Sequence, residues 1–401
     1  MPKLTRRDMM MRSAMLGCSL AANPLVTPIT LAAGPWDNRL VVIILRGGMD
    51  GLDVVRPIGD SAYATARGKS TDGLALDGFF ELNPGFAGLH PLWASGELSF
   101  VHATSTPYRD KRSHFDGQDH LEAGFSTADL GPVRDGWLNR LLQTQSGLSS
   151  DVAFSIGQGE MLITRGAASI SNWTPEVDLL MSPQALHLAS LVMQNDPLFQ
   201  ATFEEAVQIA ESDGDAVMSD RGGQSMETMS NGREKGEKLE EAIAKFAASR
   251  LRQDTRIAAF SINGWDSHQN QPFLMRRSLP RLANAILTLK RDLGPIWQKT
   301  TVLAMTEFGR TVRMNGTRGT DHGTGGALLI AGGTLSKSQI AGRWPGLSED
   351  ALYMRRDLMP TSDVRAHAAW ALRRCFGLDQ SVLETQVFPG LAMQDDLGLL
   401  A

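Results

Sequence analysis

Residues 40–53 read Leu-Val-Val-Ile-Ile-Leu-Arg-Gly-Gly-Met-Asp-Gly-Leu-Asp, and the reading of the whole chain works outward from them. Residues 40–45 are an unbroken apolar, largely β-branched run, which predicts a first strand. The paired glycines that follow let the backbone turn sharply and bring a carboxylate, Asp50, to the edge of a sheet. The glycine spacing matches no dinucleotide fingerprint, and the lysine of a phosphate-binding loop is missing. Asp50 is therefore a candidate ligand at a strand end, and the capping of a following helix by Asp50 or Asp53 is equally open.

Further apolar runs at 98–103, 152–156, 257–262, 301–305 and 328–331 alternate with helical patterns at 136–145, 183–194, 238–251 and 272–293. Such alternation predicts an α/β fold, a doubly wound and largely parallel sheet with helices on both faces. A last helix is expected to begin with Ser362 as its cap and to run through Trp370 to Cys375. The polar stretch 212–237 lacks apolar periodicity and reads as an exposed insertion.

The amino terminus presents Thr5, Arg6, Arg7 and Asp8, then apolar residues, and no charged residue from Ser13 to Ala33. This resembles a twin-arginine signal covering residues 1–33, with cleavage near Ala33, export to the periplasm and the translocase as a transient partner. Asn23, Pro24, Thr27 and Pro28 make the same segment a poor permanent membrane span. Residues 34–401 are then expected to form one large α/β domain. Of the two cysteines, Cys18 falls in the signal and leaves Cys375 as a buried core thiol. A net charge of -5 and a pI near 5.9 exclude a broad nucleic-acid surface.

In open α/β sheets ligands bind beyond the carboxyl ends of the strands, so polar residues there carry the functional reading. After the second strand comes Arg112, Ser113, His114, with Asp116, Asp119 and His120 further on. Ser113, flanked by cations and a histidine, is a candidate nucleophile, or it caps the next helix. Asp266 and His268 follow the strand ending near Asn263 and can reach one cation, although a turn aspartate with a surface histidine has the same spacing. The run Thr306, Glu307, Phe308, Gly309, Arg310 and the glycine-flanked Asp321 and His322 form the densest constellation. Arg310 can hold an anionic group, or it can simply pair with Glu307 or Asp321.

Taken together, residues 46–53, 113–119, 264–269, 306–311 and 320–326 resemble the exported bacterial family known as domain of unknown function 1501, which is similar to the alkaline phosphatase and sulfatase superfamily. The resemblance implies an alkaline phosphatase-like sheet with a metal site at the strand ends. It implies Asp50 as the first-strand ligand, Ser113 as nucleophile, Asp266 and His268 as a mid-chain pair and His322 as the late ligand. The superfamily's Asp-His pair after the penultimate strand stands here as Glu307 and Phe308, which removes one imidazole.

The expected function is a metal-dependent hydrolase of phosphate or sulfate esters acting on a small anionic substrate. Its divalent metal (zinc, manganese or calcium) would lie among Asp50, Asp266, His268, Glu307, Asp321 and His322, with Arg46 or Arg310 holding the anion. The alternative is a non-catalytic periplasmic binding or assembly protein that keeps the fold without a complete site and works with an exported protein partner.

Overall fold

The computed structural model describes residues 36–109, 112–125, 135–157, 161–173 and 239–401. The expected signal at 1–33, the helix at 183–194 and the polar insertion at 212–237 lie outside the described residues.

Among the described residues the central sheet holds nine strands: β1 (Arg39–Arg46), β2 (Leu98–Ser105), β3 (Ala153–Ile156), β4 (Ser171–Trp173), β5 (Ile257–Asn263), β6 (Thr300–Met305), β7 (Gly326–Ala331), β8 (Ile340–Ala341) and β9 (Ser362–Asp363). Their order is β8-β2-β7-β6-β1-β5-β3-β4, with β9 also paired to β2. Every neighbouring pair is parallel except β7 with β6 and with β2, so β7 alone runs backwards.

The apolar run of β1 follows from its position at the centre of the sheet. Val41, Ile43 and Leu45 enter one core layer with Leu282 and Ile286 of α4 (Gln271–Leu293) and Ala247 of α3 (Leu239–Leu251). Leu40, Val42 and Ile44 enter the other, with Leu138 of α2 (Trp137–Gln143) and Leu372 of α5 (Val364–Phe376). Each such side chain contributes roughly 1.5–3 kcal/mol by leaving water, and truncating Ile43 to Ala would cost about 2–5 kcal/mol. Helices thus cover both faces of a largely parallel sheet, the α/β arrangement that the sequence predicts.

One expected cap is corrected. Asp363, not Ser362, begins α5, accepting from the Arg365 amide at 2.9 Å. Ser362 is occupied in β9, paired with Thr104.

The topology explains where a site can form. β1, β5 and β6 end at the same sheet edge, in register from Leu40 opposite both Ile257 and Thr301. The reversed β7 starts at that edge, so the loop 320–325 before it arrives beside the loops that leave its neighbours. β2 ends there too, and its chain returns as α1 (His114–Ala123).

Candidate metal centre

The turn after β1 is shaped by glycine. Gly47 has φ 122° and a Cβ there would meet the Asp266 amide nitrogen at 2.5 Å; Gly48 has φ 68°. Their carbonyls are pinned by Arg310, whose side chain is fully buried. Its Nε donates to Gly48 O at 2.7 Å, Nη1 to Thr320 O at 3.0 Å, and Nη2 to Gly47 O and to Asp266 Oδ1, the last at 2.6 Å. A guanidinium spent in this way ties three loops together and offers no exposed face to a substrate. This revises the expectation that Arg310 holds the anion.

Glu307 is also fully buried. Its Oε1 accepts from the Gly47 amide at 2.9 Å and from Gln118 Nε2 at 3.2 Å, and it faces His114 Nδ1 at 2.8 Å. Burial pushes its carboxyl up, but these donors outweigh burial and hold it below the usual range. Asp321 is likewise held low, first by its hydrogen bond with His268 Nδ1 at 3.0 Å. Glu307 and Asp321, expected as ligands, here orient the outer nitrogens of two histidines. His322 has the same support from a main-chain carbonyl, its Nδ1 lying 2.6 Å from Arg112 O.

These supports assign the tautomers, because a carboxylate or carbonyl only accepts and so each Nδ1 carries the proton. In the neutral rings each Nε2 then presents a lone pair, and all three point at Asp266. His268 Nε2 lies 3.2 Å and His322 Nε2 3.7 Å from Oδ1, and His114 Nε2 lies 3.6 Å from Oδ2. The Nε2 atoms of His268 and His322 are 2.9 Å apart. His114 Nε2, His322 Nε2 and an Asp266 oxygen all lie within 4.8 Å of one another, and the buried His114 Nε2 has no hydrogen-bond partner among the described residues, a donor set that fits a cation. Two nitrogens on one tetrahedral zinc at 2.0–2.1 Å would lie about 3.4 Å apart, so this spacing is close to a ligand set.

The electrostatics suit a divalent cation. Asp266, Glu307 and Asp321 bring three negative charges, with Arg310 paired to Asp266 and Arg356 acting on Asp321 from further off. Asp266 is pushed up by partial burial but pulled lower by Arg310, and stays ionised. Burial lowers the pKa of His322, and His114, Arg310 and His268 reinforce this against the Arg112 carbonyl, which keeps the ring neutral and its lone pair available. The support of each Nδ1 by an acceptor is the outer-shell pattern of metal-binding histidines. The side chains of Asp266 and His268 are 48% and 41% exposed, so the cluster opens to solvent on one side.

The structure gives the remaining expected residues partners of their own. Asp50, the expected first-strand ligand, is 1% exposed and already neutralised. Its carboxylate accepts from Arg67 at 2.6 and 3.2 Å and from Gln271 at 2.7 Å, and it caps Leu52 at 3.1 Å. Arg46 is committed to Gln118 and to Glu122, each at 2.6 Å. Ser113 caps α1, accepting from the Asp116 amide at 3.5 Å. That leaves His114 one residue further on, at the start of the helix. The sequence singled out this histidine without placing it in the ligand set; its position in the segment that follows β2, at the sheet edge where His268 also lies, was the available signal.

Comparison with solved structures finds weak likenesses. The zinc complex of the C-terminal periplasmic domain of EcEptC from Escherichia coli is 10% identical, with 75% of this chain and 74% of that chain covered and a TM-score of 0.36. The 2-O GAG sulfatase BT1596 is 8% identical, covering 77% and 67% with a TM-score of 0.36. The alkaline phosphatase of the Antarctic bacterium TAB5 is 9% identical, covering 74% and 90% with a TM-score of 0.34. None of the curated proteins matches. A family model does match, over residues 113–385, and the chain belongs to that family, described as a protein of unknown function, DUF1501.

Proposed function

We propose that this protein is a metal-dependent hydrolase of phosphate or sulfate esters, with one divalent cation held by His114, Asp266 and His322, His268 lying beside them. The observation that supports it is the convergence of three imidazole lone pairs on one carboxylate, open on one side to solvent. Structural metal sites are closed by protein ligands, whereas catalytic ones keep a position free. When bound there, a cation would polarise an ester oxygen. The protein's own part is to hold the rings: Glu307 and Asp321 fix His114 and His268, the Arg112 carbonyl fixes His322, and Arg310 fixes Asp266. Ser113, at the positive end of α1 and adjacent to His114, is the nucleophile in this reading.

Export through the twin-arginine pathway is part of the same proposal and rests on Arg6, Arg7 and the uncharged segment after them. Among the described residues no helix is long and apolar enough to cross a membrane.

The test is hydrolysis of p-nitrophenyl phosphate and p-nitrophenyl sulfate by protein supplied with zinc or manganese. Turnover should vanish in His322→Ala and fall by about 100-fold or more in Ser113→Ala, since the nucleophile takes part directly in the step. Metal-loaded protein that cleaves neither ester above the buffer rate defeats the hydrolase reading.

A further inference from the structure

A cleft of about 550 Å³ opens between the start of α4 and residues 67–72, and its charges do not balance. Its two acids share one guanidinium, Asp53 accepting from Arg56 at 3.1 Å and Asp72 at 2.8 Å, which leaves one negative charge to set against the remaining cations. Arg67 is neutralised by Asp50 at 2.6 Å. Two more lining cations, Lys69 and Arg276, are exposed and have no carboxylate partner among the described residues. Met275 and Met314 give the same cleft an apolar wall.

A concave site with two exposed cations and an apolar wall is matched to one chemistry. We propose that this cleft binds a small organic anion, its phosphate-, sulfate- or carboxylate-type head met by Lys69 and Arg276 and its apolar part by Met275 and Met314. The site is independent of the hydrolase reading and separate from the metal cluster. Gln271 stands between them, its amide oxygen accepting from Ser267 at 2.9 Å and Thr320 at 2.6 Å on the cluster side.

Titration calorimetry with phenylphosphonate, a dianion with an apolar ring and no ester to cleave, tests the assignment. Saturable binding is expected in the wild type and, unchanged, in His322→Ala. The double variant Lys69→Glu/Arg276→Glu, in which both replaced side chains are exposed and circular dichroism confirms folding, should bind at least about tenfold more weakly. Absence of saturable binding, or equal affinity in the charge-reversed variant, overturns the proposal. So does loss of binding in His322→Ala, which would assign the anion to the metal cluster instead.

Discussion

Replacing Arg310 by Met keeps the length and apolar bulk of the side chain and removes only the guanidinium, which makes it a sharp test of how the strand-end loops are held together. In the folded protein the group donates to the carbonyls of Gly47, Gly48 and Thr320, residues that are all buried, and to the Asp266 carboxylate. Leaving a buried acceptor without its donor costs about 1–3 kcal/mol. Asp266 is half-exposed and can recover water, so the three carbonyls dominate, and a loss of about 3–5 kcal/mol is expected. In a chain of this length that lowers the melting temperature by roughly 4–6 °C. Arg310→Lys, which keeps the charge but can reach fewer of the three loops at once, should fall between the two. Urea unfolding with two spectroscopic probes gives the difference directly. A loss below about 1 kcal/mol for Arg310→Met, within the range of ordinary surface substitutions, would refute the claim that this guanidinium pins the site.

Acid should destabilise the fold through two buried histidines that have no part in the metal cluster. Burial pushes His102 and His367 down to about 4, whereas an unfolded histidine titrates near 6.5. Between these values the unfolded chain takes up protons that the folded one refuses, so stability present above pH ~6.5 is lost as pH falls toward ~4. Urea midpoints measured across that window with chelator present should fall steadily, and a flat profile would contradict the assignment. The Cys375 thiol, buried and pushed up to about 11, should resist iodoacetamide in native Cys18→Ser protein and react only once the chain unfolds. Labelling at the native rate of a free thiol would show that the core opens. Replacing both Arg6 and Arg7 by Lys should leave precursor in the cytoplasm, and undiminished export of that variant would remove the twin-arginine assignment.

The central architecture was legible because β1 is buried on both faces and so shows an unbroken apolar run, and because α3 and α4 are long enough to display their periodicity. The edge strands were not. β4, β8 and β9 have two or three residues each, too few for any pattern. The reversal of β7 was equally hidden, since a buried strand reads the same in either direction. Asp266, His268 and His322 were singled out because strand ends and glycine loops mark where ligands gather, and the fold brings the three side chains together. Asp50 was given the wrong surroundings because its partner Arg67 lies in a short helix with no motif to announce it. Glu307 and Asp321 carried the right chemistry for ligands, and only the geometry showed that each faces the far nitrogen of a histidine. His114 was passed over in favour of the serine beside it, because a hydroxyl among cations suggests a nucleophile more readily than a histidine at a helix start suggests a ligand.

Elemental analysis of protein purified without chelator, paired with melting curves, tests the metal centre most directly. The account predicts about one divalent transition-metal ion per chain in the wild type and a matching loss in His322→Ala and His114→Ala, both still folded. In His90→Ala, whose ring bonds the Ala75 carbonyl instead, the metal should stay. At free metal about 100 times the dissociation constant, the wild type should gain roughly 2.7 kcal/mol that the two ligand variants lack. Wild-type protein that carries no stoichiometric metal after dialysis against zinc or manganese, and whose melting ignores both metal and chelator, would contradict the account.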